Sequence, residues 1–334
     1  MWDLLDSSGP DLLALTSRGG CASKLPKAKL AELIGHSRLR GPFLDIGAIP
    51  GTDGLVMSTD FGTPTWFNPI CWGELAAVNV LSDIMAAIAE PLAANVVVGL
   101  PGELHLDVGV AAYRSLKRTL EHHGALVVGG HTMQSPIPFL GATVVARRSS
   151  RLTTAHRPEA GDKVFLSKPL GSGIGITALK FGERDAALLE ELYLGMSRLD
   201  SLAVLLEGRV AHAALTDVSG FGLANHLVQL LDAEDLSCLL EASRLPSYGI
   251  ADEWLQRGLT LPMADANLLA FEARHSISIL TNERARSLAL LTDPQTCGGL
   301  LCIAPNSLGP RLVAGGWSSI GRLVKRASTD IIVD

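Results

Sequence analysis

Aromatic residues, basic excess, paired cysteines and long apolar runs are all scarce in this chain, and each shortage excludes a class of protein. Acidic side chains outnumber basic ones, 34 to 28, for a net charge of −6. The basic face of a general nucleic-acid binder is therefore not expected, although an acidic protein can hold a polyanion when metal ions supply the positive charge. The most apolar region, residues 75–100, is broken by Asn79, Ser82, Asp83, Glu90, Pro91 and Asn95. A membrane-spanning helix needs about 20 nearly uninterrupted apolar residues, so no membrane partner is expected. The five cysteines, Cys21, Cys71, Cys238, Cys297 and Cys302, are odd in number, widely spaced and form no Cys-x-x-Cys pair. That argues against a disulfide framework or a structural zinc site and for a reducing, cytoplasmic setting. Asp3 and Asp6 stand where a secretory signal needs bases, so export is not expected either. Aromatics make up only 5% of the chain, so its 47% hydrophobic content comes mostly from Ala, Val, Leu and Ile, ample for sizeable cores.

What is present reads as a two-domain α/β (α+β) protein. At roughly 150 residues per domain, 334 residues suggest two. Residues 1–40 carry turn formers and one short amphipathic stretch, 26–34, and read as a flexible leader. Beyond them, 54–60 reads as a strand ending on Asp60, 72–89 as a helix closed by Pro91, and 95–99 as a strand. A helix over 107–123 and strands over 125–130 and 139–146 complete an N-terminal domain, 41–156. The polar, basic stretch 147–161 marks the boundary, and the pattern restarts in a C-terminal domain, 157–334. There a strand at 163–167 is followed by a Gly-rich loop, Gly171-Ser-Gly-Ile-Gly175, and a short helix, 176–181. A strand at 214–217, a helix at 222–231 and a strand at 300–304 follow.

Several residues could carry chemistry. Asp83 lies in an otherwise apolar helix with Asn79 one turn earlier on the same face. A carboxylate so placed must be paired, hydrogen-bonded or metal-bound; a partly exposed polar stripe is the plainer reading. Asp45, Asp60 and Asp217 each follow a strand-like run. Alone, each is a cap or turn residue. Together with Asp83 and Asn79 they suggest carboxylates converging on Mg²⁺, whose oxygen ligands are commonly shared with substrate phosphates. Gly129, Gly130 and His131 end a strand, either as a tight turn or where the backbone approaches a ligand. The stretch 171–175 lacks both the ending of a phosphate loop and the spacing of a dinucleotide fingerprint, and 217–222 and 293–299 are turns by composition. Cys21, in Gly20-Cys-Ala-Ser-Lys24, has no apolar segment to pack into and an ammonium three residues away, which would lower its thiol pKa. An inert, packed cysteine is the equal alternative.

Taken in order, these segments resemble the selenide, water dikinases (selenophosphate synthetases) of the aminoimidazole-ribonucleotide synthase-like superfamily. The resemblance runs from about Leu15 to Ile303. In the first half its carriers are Gly20-Cys-Ala-Ser-Lys24, Ser58-Thr-Asp-Phe61, Ala76-Ala-Val-Asn-Val-Leu-Ser-Asp83 and Gly129-Gly-His131. In the second they are Leu166-Ser-Lys-Pro-Leu-Gly-Ser-Gly173, Leu215-Thr-Asp-Val-Ser-Gly-Phe-Gly222 and Asp293-Pro-Gln-Thr-Cys-Gly-Gly299. It implies a two-domain aminoimidazole-ribonucleotide synthase-like fold, with N-terminal domains pairing in a homodimer and nucleotide sites where they meet. The implied reaction turns ATP, selenide and water into selenophosphate, AMP and phosphate with Mg²⁺. By the same resemblance Cys21 and Lys24 would be catalytic, Lys24 facing phosphate. Asp60, Asp83, Gly129, Gly130 and His131 would contact ATP, and Asp45, Asp83 and Asp217 would hold metal. The family's paired aspartates are reduced here to Asp45 in Leu44-Asp-Ile-Gly-Ala48, and only Asn267 remains of its Gly-Gly-Thr-Glu-Arg-Asn segment. Those departures motivate two alternatives: a divergent paralogue with another acceptor, or a non-catalytic nucleotide-binding homologue.

Overall fold

Strand β2 (Leu55–Gly62) alternates inward Val56, Ser58 and Asp60 with outward Met57, Thr59 and Phe61, the period of a sheet covered on one side. The computed structural model describes residues 10–25, 27–34, 46–148, 156–201, 213–231 and 235–334. In it β2 belongs to a five-stranded sheet, ordered β1 (Ile46–Ala48), β2, β5 (Phe139–Arg148), β3 (Ala89–Leu100) and β4 (Leu126–Gln134). Its neighbours pair antiparallel except β3 and β4, which are parallel. After a short α1 (Lys27–Ile34), helices α2 (Pro69–Ala86) and α3 (Leu106–His122) supply the cover.

Helix α2 is apolar on nearly every side because two cores claim it. Trp72, Ala77, Val80, Leu81 and Ile84 join the core of the first sheet, whereas Cys71, Leu75 and Val78, spaced i, i+4 and i+7, join the core of the second domain. Asn68 caps it, Oδ1 accepting from the Ile70 N–H at 2.8 Å, and Pro69 fits the first turn. Gly73 lies at the crossing with α3, where a Cβ would collide with the Ala112 carbonyl. The helix stops at Ala86, short of the expected Ala89, and Pro91 is inside β3 rather than a stop signal. Pro91 sits at a register shift of β3, the irregularity in which a strand tolerates a residue without an N–H.

The second sheet has seven strands, ordered β7 (Ala214–Asp217), β10 (Leu300–Ala304), β6 (Lys163–Leu166), β11 (Ser318–Lys325), β8 (Leu236–Leu240), β12 (Ile331–Val333) and β9 (Ile277–Ile279). Only β12 pairs parallel to its neighbours. Its helices include α4 (Ser172–Lys180), α5 (Ala186–Ser197), α6 (Gly222–Leu231), α7 (Gly249–Gln256), α8 (Pro262–Glu272) and α9 (Arg284–Thr292).

Two expectations are corrected here. The Gly-rich stretch 171–175 is not a loop, because α4 starts at Ser172. Its first N–H groups are satisfied from a distance: Gln295 Oε1 accepts from the amides of Gly171 and Ser172 at 3.2 Å, and Asp293 Oδ2 from Gly173 at 3.0 Å. Remote capping of this kind leaves no local signature. Within the expected leader the described stretch 10–25 is not free either, since adjacent leucines strap it to both domains. Leu12 enters the first core and Leu13 the second, both fully buried, and the Lys180 ammonium donates to the Thr16 carbonyl. Among the described residues no helix is long and apolar enough to cross a membrane, and all five cysteines are free.

Candidate active site

Two polar residues of β2 meet two polar residues of α2. Ser58 and Asp60 are two strand residues apart, about 6.7 Å, and Asn79 and Asp83 one helical turn apart, about 6 Å. The spacings match, so the side chains pair across the sheet–helix interface. The Ser58 hydroxyl donates to Asp83 Oδ2 at 2.6 Å, and Asn79 Nδ2 donates to Asp60 Oδ2 at 2.6 Å. Asn79 is thus the partner of Asp60, not the companion of Asp83 that its position one turn away suggested.

Asn79 also reaches across the domain boundary. Its Oδ1 accepts the Cys297 N–H at 2.9 Å and faces Cys21 Sγ at 3.7 Å. The amide orientation is fixed, because the carboxylate of Asp60 demands a donor and the Cys297 amide an acceptor. Cys297, with φ +51, belongs to the 293–299 segment, which joins the domains. Its thiol donates to the Leu75 carbonyl of α2 at 3.0 Å, and the ammonium of buried Lys168 donates to its carbonyl at 3.0 Å. Left-handed backbone on a non-glycine residue costs energy and persists only where surrounding contacts hold it.

Lys24 completes the cluster, its ammonium 3.1 Å from Asp60 Oδ2. Cys21, Lys24, Asp60, Asn79 and Thr296 line one pocket whose apolar wall includes Trp72, Leu75 and Leu140. Cys21 is only 3% exposed. Burial pushes its thiol up to about 11; the Lys24 ammonium opposes that rise without overcoming it, and the Asp60 carboxylate adds to it. Cys21 at neutral pH is therefore a thiol, not the exposed thiolate that its proximity to Lys24 in sequence suggested. Desolvation outweighs one partly solvated ammonium.

The remaining expected site residues are distributed as follows. Asp83 and Asp217 are buried, 6% and 7% exposed, and sit on α2 and β7, elements packed against each other. Neither lines the pocket around Cys21. Carboxylates are the donors Mg²⁺ takes, yet among the described residues no three His, Cys, Asp or Glu side chains gather where they could hold an ion. Asp45 lies outside the described residues. A divalent ion here would need Asp45 or oxygens from a nucleotide to complete its ligands. Gly129, Gly130 and His131 do not end a strand as expected but lie within β4, which pairs on with β3 as far as Gln134; they are exposed on this edge strand and do not line that pocket. Gly130 has a packing reason as well, since a Cβ would strike the Val96 carbonyl of β3. Sequence reasoning missed Thr296 and Cys297, taken there as turn residues; only their register against α2 reveals them.

Comparison with known proteins agrees with this architecture. Residues 44–147 match the N-terminal domain, and residues 159–334 the C-terminal domain, described as AIR synthase related protein. A selenide, water dikinase of Burkholderia pseudomallei is 30% identical over 89% of this chain and 87% of its own length. One from Pseudomonas putida is 31% identical over 96% and 98%. Among solved structures, thiamine monophosphate kinase from Aquifex aeolicus superposes with a TM-score of 0.63 at 20% identity, covering 93% of this chain and 98% of that one. Hydrogenase maturation protein HypE does so with 0.61 at 17%, covering 86% and 87%. At those identities the structural likeness concerns the fold.

Proposed function

We propose, from the premise that this chain belongs to the AIR synthase related family through both of its domains, that it is an ATP-dependent selenophosphate synthase. ATP, selenide and water would enter, and selenophosphate, AMP and phosphate would leave. One observation carries the reading: Cys21, Lys24 and Asp60 meet in a single pocket of a chain 30% identical to a selenide, water dikinase over most of its length.

Phosphoryl transfer depends on positioning and charge neutralisation more than on covalent help. Lys24 is placed for this. Its ammonium can leave Asp60 for a phosphate oxygen, while Asn79 keeps Asp60 hydrogen-bonded. Cys21, screened from water among Trp72, Leu75 and Thr296, would shelter the selenium. Asp83 and Asp217, joined by Asp45, are the residues we assign to Mg²⁺, which when bound offsets the roughly four negative charges of the triphosphate. Gly129, Gly130 and His131 would meet the nucleotide where two N-terminal domains pair. Free cysteines throughout suit a reducing cytoplasm.

Pairing has a surface to use. Strand β4 is an edge strand exposing Leu126, Val128 and Met133, and among the described residues Met57 and Phe61 are also exposed on this sheet. Exposed apolar area on a sheet edge marks an association site. Light scattering after gel filtration should give a dimer for the natural chain and a monomer for Val128→Asp. A natural chain that runs as a monomer at micromolar concentration would remove the dimer from the reading.

The chemistry itself is tested by anaerobic ³¹P NMR of ATP with Mg²⁺, with and without selenide. AMP and a selenophosphate resonance should appear only with selenide, and Cys21→Ser should lose both. If ATP is hydrolysed without regard to selenide, or not at all, the proposal fails and another acceptor takes its place.

A further inference from the structure

We propose that Thr296, contributed by the C-terminal domain, is a positioning residue for Cys21, fixing the thiol in the pocket through its backbone across the domain boundary. The proposal rests on the reading that Cys21 serves the acceptor. Cys21 opens a single 3-10 turn, Cys21–Ser23, too short to hold itself in place. Its amide donates to Thr296 Oγ1 at 2.9 Å. Thr296 is anchored in turn, its own amide donating to Ser172 Oγ at 2.9 Å and the Ser172 hydroxyl to Gln295 Oε1 at 3.1 Å. The hydroxyl that holds Cys21 is thereby tied to the first turn of α4.

Three further observations point the same way. Thr296 is 3% exposed, and a hydroxyl so buried is costly without a partner; the Cys21 amide is that partner. Gly20 has φ +55, and a Cβ there would stand 2.5 Å from Thr296 Oγ1 and 2.8 Å from Thr65 Cγ2, so the close approach requires glycine. On the other side a Cβ at Gly220 would fall 3.3 Å from the Cys21 Cβ and from Lys24 Cδ. The turn is thus gripped between two loops of the C-terminal domain. Lys24 rides on the same turn, its N–H donating to the Cys21 carbonyl at 3.1 Å while its ammonium reaches Asp60. Thr296 thus holds the turn that carries both residues from the C-terminal domain, while the Gly20 amide, donating to the Thr63 carbonyl at 3.3 Å, ties it to the N-terminal one, and the pocket is complete only when the domains are docked.

Thr296→Val keeps shape and removes the hydroxyl; Thr296→Ser keeps the hydroxyl and removes the methyl. Hydrogen exchange of the Cys21 amide, read from peptides covering 20–24, should quicken about tenfold or more in the valine variant, the loss expected for one opened hydrogen bond. Exchange in β3 and β8 should not change. Turnover should fall about tenfold or more through kcat, with KM for ATP held within about twofold, as for a misplaced reacting group. Serine should restore both measures. Natural exchange and kcat in Thr296→Val would overturn the proposal, and so would an equal loss in Thr296→Ser, which would mean that packing by the methyl matters instead. If the natural protein forms no AMP on adding selenide, the functional reading falls, while the exchange measurement still decides whether Thr296 holds Cys21.

Discussion

Asn79→Leu is expected to lower turnover at least about a hundredfold and to lower the melting temperature by several degrees. The size follows from how much one side chain holds. Its Nδ2 orients Asp60, and its Oδ1 takes the Cys297 N–H at 2.9 Å and faces the Cys21 thiol. Leucine keeps the branched shape, is bulkier, and strands the Cys297 amide in the interdomain core, which costs about 1–3 kcal/mol. It also frees Asp60 to turn away from Lys24. Asn79→Asp is the informative companion. It keeps an acceptor for Cys297 but sets a second carboxylate against Asp60, and two carboxylates at that distance repel when both are ionised, which raises the pH at which one of them takes a proton. Its activity relative to the natural chain should rise as pH falls towards 5, when a shared proton restores a donor. Steady-state AMP formation and thermal unfolding of the three proteins measure this; natural activity in Asn79→Leu would refute the role.

The second large effect concerns stability. Asp293 is completely buried, and burial pushes its carboxyl up to about 8, against the pull of hydrogen bonds from Gly173 and Gln295. Among the described residues its Oδ1 has no hydrogen-bond partner. The folded chain therefore holds the proton more tightly than the unfolded chain does. The favourable contribution is complete below the unfolded value of about 4 and is lost as pH rises from there to about 8. Across that window the natural protein should lose stability relative to Asp293→Asn at roughly 1 kcal/mol per pH unit. An amide oxygen can still accept from Gly173 and Gln295, so the α4 cap should survive. Melting temperatures from pH 5 to 8 provide the check: the variant's difference from the natural chain should become steadily more favourable to the variant. A constant difference would show that Asp293 is ionised in the fold.

The two-domain α/β character was open to sequence reasoning because strand and helix periods are local. The strand at 214–217 and the strand at 300–304 stand where they were expected, and the helix at 222–231 likewise. The helix around Asp83 was found, but its ends were not, because Pro91 reads as a stop signal unless the register shift of β3 is known. The start of α4 was hidden for a related reason: the groups that cap it, Asp293 and Gln295, lie 120 or more residues further along.

The sequence by itself determined which chemistry is on hand: a thiol and an ammonium three residues apart, carboxylates following strand-like runs, and an apolar helix with polar residues one turn apart, although Asp60 proves to lie inside β2 and only Asp217 of the described carboxylates ends its strand. Local spacing suffices for that, because it fixes which side chains share a face. Only the tertiary structure decided how they are shared out. It gave Asn79 to Asp60 and Asp83 to Ser58, since two strand residues and one helical turn happen to span nearly the same length. It also buried Cys21 between the domains, where the loss of water outweighs the charge of Lys24. Desolvation depends on what the rest of the chain places around a group, and no pattern of neighbours along the chain records it.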